Sequence, residues 1–198
     1  MQHAAGKVIF VLGPSGSGKG ELMRAALSAY PELYFPVSET TRAMRPGEAD
    51  GREYRFVTRE SFERDRDDGL FLEWAEYGGN YYGTPKRELL DPLAAGRTIL
   101  HEIELQGLLQ LETMIPQDER VSVYIDAGPW EALEARIRAR APITEEELAK
   151  RKARYEHELA FKSHADIVVR NQNGDLRASK REFVELVGTM IQRLEPVS

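Results

Sequence analysis

The run KVIFVL (residues 7–12) passes directly into GPSGSGKGELMRAALSAY (residues 13–30), and no other stretch restricts the fold as tightly. A short apolar run rich in β-branched residues and ended by Gly13-Pro14 reads as a buried strand. From Gly18 onward, Leu22, Ala25, Ala26 and Ala29 recur on one side of a helix. Between strand and helix, Gly13 and Gly18-Lys19 have the spacing of the phosphate-binding pattern G-x-x-x-x-G-K-[ST]. Glycines in such a turn let backbone N–H groups converge on phosphate oxygens at the positive end of the helix dipole. Lys19 adds a point charge among the β- and γ-phosphate oxygens. Gly13, Pro14, Ser15, Gly16, Ser17, Gly18, Lys19, Gly20 and Glu21 are therefore the expected contacts to a nucleoside triphosphate. Gly20 departs from the pattern, because a Ser or Thr there normally lends its hydroxyl to magnesium. Magnesium keeps several waters, so a water can replace that hydroxyl. The carboxylate of Glu21 favours the helix dipole but repels phosphate if it faces the ligand. The expectation is an active loop with a raised magnesium requirement and weakened triphosphate binding.

Similar strand signals recur at TILHEI (98–103), VSVYID (121–126) and DIVVR (166–170). Helices fit at about 106–113, 129–140, 144–162 and 177–194. Strands alternating with helices argue for an α/β fold with a parallel sheet covered on both faces. Residues of about 36–91 are turn-rich and dense in Arg and Tyr, as expected of an inserted, mostly antiparallel lobe. Residues of about 134–159 are highly charged and broken at Ala141-Pro142, which predicts a mobile helical lid. The core then comprises about 6–35, 92–133 and 160–198 of one domain. A net charge of −6 lacks the basic footprint of a nucleic-acid binder. There is no cysteine, hence no thiol nucleophile or thiolate metal site. The first residues, MQHAAGK, lack the pattern of a secretory signal, and the run Val8–Leu12 is too short to cross a bilayer. A soluble, cytoplasmic protein without nucleic-acid or membrane partners is expected.

Three further segments speak to the acceptor of the phosphoryl group. They are SETTRAMRPGEADGREYRFV (38–57), FLEWAEYGGNYYGTP (71–85) and HEIELQG (101–107). With the phosphate loop and RIRAR (136–140), they follow the order and spacing of the guanylate kinases over about residues 7–171, and the chain closely resembles that family. The resemblance implies a P-loop NTPase-type core with an inserted GMP-binding lobe and a helical lid. It also implies Mg2+-dependent transfer from ATP to GMP, with dGMP as a further acceptor, by a monomer or homodimer. Around the GMP phosphate it places Ser38, Arg42, Arg45, Tyr54 and Tyr82. Their chemistry fits, because forked guanidiniums and hydroxyl donors suit a phosphate dianion. Glu73 and Thr84 match the family's guanine contacts. A carboxylate accepts from N1–H and the 2-amino group side by side, and a hydroxyl donates to O6.

Glu102 and Glu104 stand two apart at a strand end and so point to one face. The resemblance puts Glu102 on the metal side, through water, and Glu104 on the guanine side, where Asp is usual. Arg136, Arg140 and Arg151 match the arginines that close over ATP, and Asn171 matches an adenine contact. Lys19, Arg42 and these three arginines are the expected catalytic charges. No general base is expected, because the nucleophile is already an ionised phosphate oxygen. His3, His101, His157 and His164 lack metal-ligand spacing and read as incidental. Two other readings stay open at this point. One is an inactive guanylate-kinase-like interaction module, which the intact Lys19 and lid arginines oppose. The other is a kinase of a different small phosphorylated acceptor, which the Glu73–Thr84 pair opposes.

Overall fold

Strand β1 (Lys7–Leu12) lies inside a parallel sheet between β6 (Thr98–Glu102) and β7 (Arg120–Asp126), with β8 (Ile167–Arg170) beyond β7. The computed structural model describes residues 6–14, 16–52, 54–77, 79–103, 105–140, 142–171 and 176–194. Val8, Ile9, Phe10 and Val11 are fully buried, because helices cover both faces of the sheet. Ile9 and Val11 meet Leu22 and Met23 of α1 (Lys19–Ala29) and Phe183 and Val187 of α7 (Leu176–Leu194). Val8 and Phe10 meet Leu89 of α3 (Arg87–Ala94) and Leu108 and Leu111 of α4 (Leu105–Leu111). The buried stripe of α1 runs through Leu22, Met23 and Ala26, whereas Ala29, in its last turn, is exposed rather than packed.

A second sheet holds β2 (Glu39–Thr40), β3 (Arg55–Phe56), β4 (Phe71–Tyr77) and β5 (Asn80–Pro85) in the order β3-β2-β5-β4. Its β2–β5 and β4–β5 pairs are antiparallel and its β2–β3 pair is parallel. Two helices of this region, α2 (Arg59–Asp67) and α3, have no counterpart in the sequence reading. Phe62 is the only buried residue of α2, so no apolar stripe announces that helix. It is held by the Thr58 hydroxyl, which accepts from Ser61 N–H at 3.1 Å, and by Phe62 stacked against Phe71 and Tyr81. Pro92 lies inside α3, where it removes a helix hydrogen bond and hides the element from a propensity argument.

Helices α5 (Trp130–Arg140) and α6 (Glu145–Phe161) separate where Thr144 caps the second, accepting from Glu147 N–H at 3.2 Å. They share a small apolar cluster that includes Leu133, Ile137 and Leu148, with the Trp130 and Tyr155 rings 5.6 Å apart. Arg138 of α5 pairs with Glu134 of its own helix at 2.8 Å and with Glu145 of α6 at 2.9 Å, which links the two helices. No helix among the described residues is long and apolar enough to cross a membrane.

Candidate active site

Gly13 follows β1, Glu102 ends β6, Asp126 ends β7 and Asn171 follows β8, so all four stand at the carboxyl edge of the parallel sheet. That edge is where open α/β sheets bind ligands. Gly13 has φ 136°, and a Cβ there would lie 2.6 Å from the Ile125 carbonyl oxygen. Gly18 caps α1 in the left-handed conformation at φ 88°. Glycine is thus required at both ends of the turn. The loop is braced from below, where Asn171 Nδ2 donates to the Ser17 carbonyl at 2.7 Å and Asn171 N–H to the Asp126 carbonyl at 2.8 Å. The Lys19 ammonium donates to the carbonyls of Gly13 and, at 3.2 Å, Pro14, and stands 3.5 Å from Glu102 Oε1. Ser17 Oγ is buried with no hydrogen-bond partner among the described residues. Ser15 and Glu104 lie outside the described residues.

The Gly20–Glu21 departure resolves into two separate cases. A Cβ on exposed Gly20 would meet nothing within 4 Å, so a larger residue fits there without displacement. The Glu21 carboxylate accepts from Lys180 of α7 at 2.8 Å and from Arg24 one turn on. It ties α1 to α7. Half exposed as it is, that tie contributes no more than about 1 kcal/mol.

Opposite the loop lies a cleft of about 780 Å³ lined by Lys19 and Glu102 on the core side. Ser38, Tyr54, Glu73, Tyr82 and Thr84 line its other wall, and Arg151 of α6 its rim. Sheet register explains the grouping. Glu73 pairs directly with Thr84 after an irregularity between Phe71 and Glu73, and Ala75 pairs with Tyr82, which puts these residues on one face. Ser38 Oγ and Thr84 Oγ1 are 3.0 Å apart. Arg42 stacks over Tyr54 and Phe56 at 5.6 and 5.5 Å and gives both terminal nitrogens to Glu48, at 3.0 and 2.9 Å. Glu48 also accepts the Arg45 N–H at 2.7 Å. The Arg42 guanidinium, with that N–H, holds the Glu48 carboxyl below its usual range. Burial pushes the Tyr54 phenol up, so it stays a donor at neutral pH.

Not every expected residue gathers at the cleft. Arg45 is exposed, and Arg136 donates to the Asn171 carbonyl at 3.1 Å. Arg151 is also bound to Glu147 at 2.8 Å. The Arg140 side chain lies outside the described residues, as does Ala141. Sequence reasoning passed over Glu48 and Gly107. A carboxylate among arginines in SETTRAMRPGE was the available signal for the first. For the second there was none, because it depends on α4 approaching β4. A Cβ on Gly107 would lie 2.7 Å from Glu73 Oε2, so the glycine leaves room for that carboxylate.

A phosphate loop at the carboxyl edge of a parallel sheet, facing a second sheet with stacked arginine and tyrosines, defines a P-loop nucleoside monophosphate kinase. Residues 5–185 match the family model described as guanylate kinase. The guanylate kinase of Trichormus variabilis is 44% identical over 170 residues, covering 86% of this chain and 84% of that protein. That of Rubrobacter xylanophilus is 40% identical over 191 residues, 96% of this chain and 98% of the other. A crystal structure of guanylate kinase from Anaplasma phagocytophilum covers 94% of this chain and 87% of its own, with a TM-score of 0.65 and 26% identity. The chain belongs to the guanylate kinase family.

Proposed function

We propose that the chain transfers the γ-phosphoryl group of ATP to GMP, giving ADP and GDP, with magnesium on the donor phosphates. The observation that carries this reading is the cross-strand pair Glu73 and Thr84 in a cleft that also holds Lys19. A carboxylate takes the two adjacent N–H donors of guanine, and a hydroxyl answers its O6. AMP lacks those donors. Sites built on such bonds reject a ligand without them by about 10⁴–10⁵. The acceptor's phosphate oxygen attacks the γ-phosphorus, the bond to the β–γ bridging oxygen breaks, and that oxygen leaves with ADP. The chain's part is positioning and charge neutralisation. Lys19 serves the transferring group; Ser38, Arg42, Arg45, Tyr54 and Tyr82 hold the acceptor phosphate. Arg136, Arg140 and Arg151 serve the donor side as the lid closes and excludes water.

The residues present fit magnesium carried by the nucleotide. Half-exposed Glu102 stands 3.5 Å from Lys19, and the described residues contain no cluster of three or more metal-ligating side chains. Glu102 would hold the ion through water, and the ion, when bound, would supply neutralising charge to the donor phosphates. Open space at Gly20 leads to an expected result: Gly20→Ser lowers the magnesium concentration for half-maximal rate by several-fold and tightens ATP. Magnesium titrations of parent and variant measure it, and superimposable curves contradict it.

A coupled ADP-release assay with GMP, AMP, CMP and UMP tests the reading as a whole, and equal rates with all four would defeat it. Two variants test the division of labour. Glu73→Gln offers one acceptor to two donors and is expected to lower the preference for GMP over AMP by about 10–100-fold. Arg45→Ala is expected to weaken both monophosphates alike. Comparable loss of base preference in the two variants rules out the separate roles.

A further inference from the structure

Between the two sheets the chain crosses a network of two buried carboxylates and two half-exposed guanidiniums that the proposed chemistry does not use. Tyr34 belongs to the core sheet: it donates its N–H to Thr98 and accepts at its carbonyl from Leu100, both at 2.9 Å, along the outer edge of β6. Its hydroxyl donates to Glu88 Oε2 of α3 at 2.7 Å. The same oxygen accepts the Val37 N–H at 3.3 Å, and Glu88 Oε1 accepts from Arg55 of β3 at 3.1 Å. Arg55 in turn donates its backbone N–H to the Ser38 carbonyl at 2.9 Å. One residue along, Glu39 is paired with Arg87 and lies 3.9 Å from Arg55 Nε.

Two carboxylates, 2% and 7% exposed, and two half-exposed guanidiniums thus hold the residues on either side of Ser38, whose hydroxyl faces Thr84 in the cleft. Such pairs are a poor route to stability, because desolvation of the two buried carboxylates offsets most of the attraction. What such pairs supply is geometry: guanidinium–carboxylate bonds are directional and tolerate little displacement. Each of the three connected parts contributes a partner. Tyr34 comes from the core edge, Val37 and Glu39 from the crossing segment and β2, and Arg55 from β3. Glu88 bonds Tyr34, Val37 and Arg55 directly, and Glu39 joins through Arg55.

We propose that this network is the pivot of the acceptor lobe and that Glu88 is a positioning residue. It pins the start of β2, and with it Ser38, to the edge of the core sheet, and so sets the acceptor's place relative to the phosphate loop. The inference rests on the reading of the cleft as the GMP site. Its consequence is specific: loosening the pivot disturbs the acceptor and spares the donor, whose loop is braced separately by Asn171.

The test uses Tyr34→Phe, Glu88→Gln and the double variant in the full chain. Steady-state kinetics are read with each substrate varied, together with melting temperature and amide exchange at residues 37–41. Both single variants are expected to raise KM for GMP roughly tenfold, with KM for ATP within about twofold of the parent. The double variant is expected to be no worse than Glu88→Gln, because the Tyr34 hydroxyl acts through Glu88. Amide exchange at Val37 is expected to quicken. The proposal is overturned if both KM values rise together, or if only the melting temperature falls. Additive effects on KM for GMP in the double variant also overturn it. Should Glu88→Gln fail to fold, Tyr34→Phe carries the test alone, since it removes one hydroxyl. A parent inactive on GMP defeats the functional reading instead; unchanged amide protection at residues 37–41 in the variants then overturns the pivot by itself.

Discussion

Lys19→Ala is expected to lower kcat by about 10²–10³-fold, the usual effect of deleting one preorganised charge aimed at a developing charge. The ammonium already sits at the mouth of the loop, on the carbonyls of Gly13 and Pro14, with its side chain 12% exposed. Because the charge acts chiefly on the transition state, kcat and kcat/KM are expected to fall together, with KM for ATP changed far less. The fold is expected to survive, since Asn171 and the Ser17–Pro14 bond hold the loop without the lysine. Rapid-quench measurement of a single turnover isolates the chemical step. A variant with near-parental turnover shows that the loop does not act on the phosphoryl group.

The second large effect concerns stability in acid. His101 on β6 is 2% exposed, has no hydrogen-bond partner at either ring nitrogen among the described residues, and stands edge-on to Phe10 with centroids 6.3 Å apart. Burial pushes its pKa down from 6.5 to about 4, because the imidazolium has nothing to replace its hydration. The folded state therefore refuses a proton that the unfolded chain accepts. Stability from the neutral ring is fully present above pH 6.5 and is lost as pH falls from there to about 4. The loss amounts to about 3 kcal/mol, a large share of a domain's margin. His101→Leu is expected to remove that part of the acid dependence while carboxylates such as Glu88 keep theirs at lower pH. Urea unfolding of parent and variant at pH 7, 5.5 and 4.5 measures it. Parallel losses in the two proteins show that another group governs acid unfolding.

How much of this was legible from residues alone depends on the range of each interaction. Local sterics make the phosphate loop readable: only glycine adopts the backbone at Gly13 and Gly18, and an apolar run before it must be buried. Alternation of strand and helix periods likewise predicts the parallel sheet, and the resemblance to the guanylate kinases implies an inserted lobe opposite the loop. The sequence therefore determined the α/β class and the glycine-rich loop, and it pointed to Ser38, Tyr54, Glu73, Tyr82 and Thr84, which line the cleft opposite that loop. Tertiary structure decided the rest. Glu21, ambiguous between facing phosphate and favouring a dipole, is settled by Lys180, 159 positions away. His101 read as incidental and lies in the core, because its surroundings come from β1 and not from its neighbours in the chain. Arg136 donates to the carbonyl of Asn171, 35 positions on. The network from Tyr34 to Glu88 spans 54 positions and carries no spacing signature. Backbone conformation and hydrophobic period are properties of a few adjacent residues, so they are written locally. The partner of a charge is whichever opposite group the packed elements bring within hydrogen-bond reach, and that exists only once the two sheets and their helices have come together.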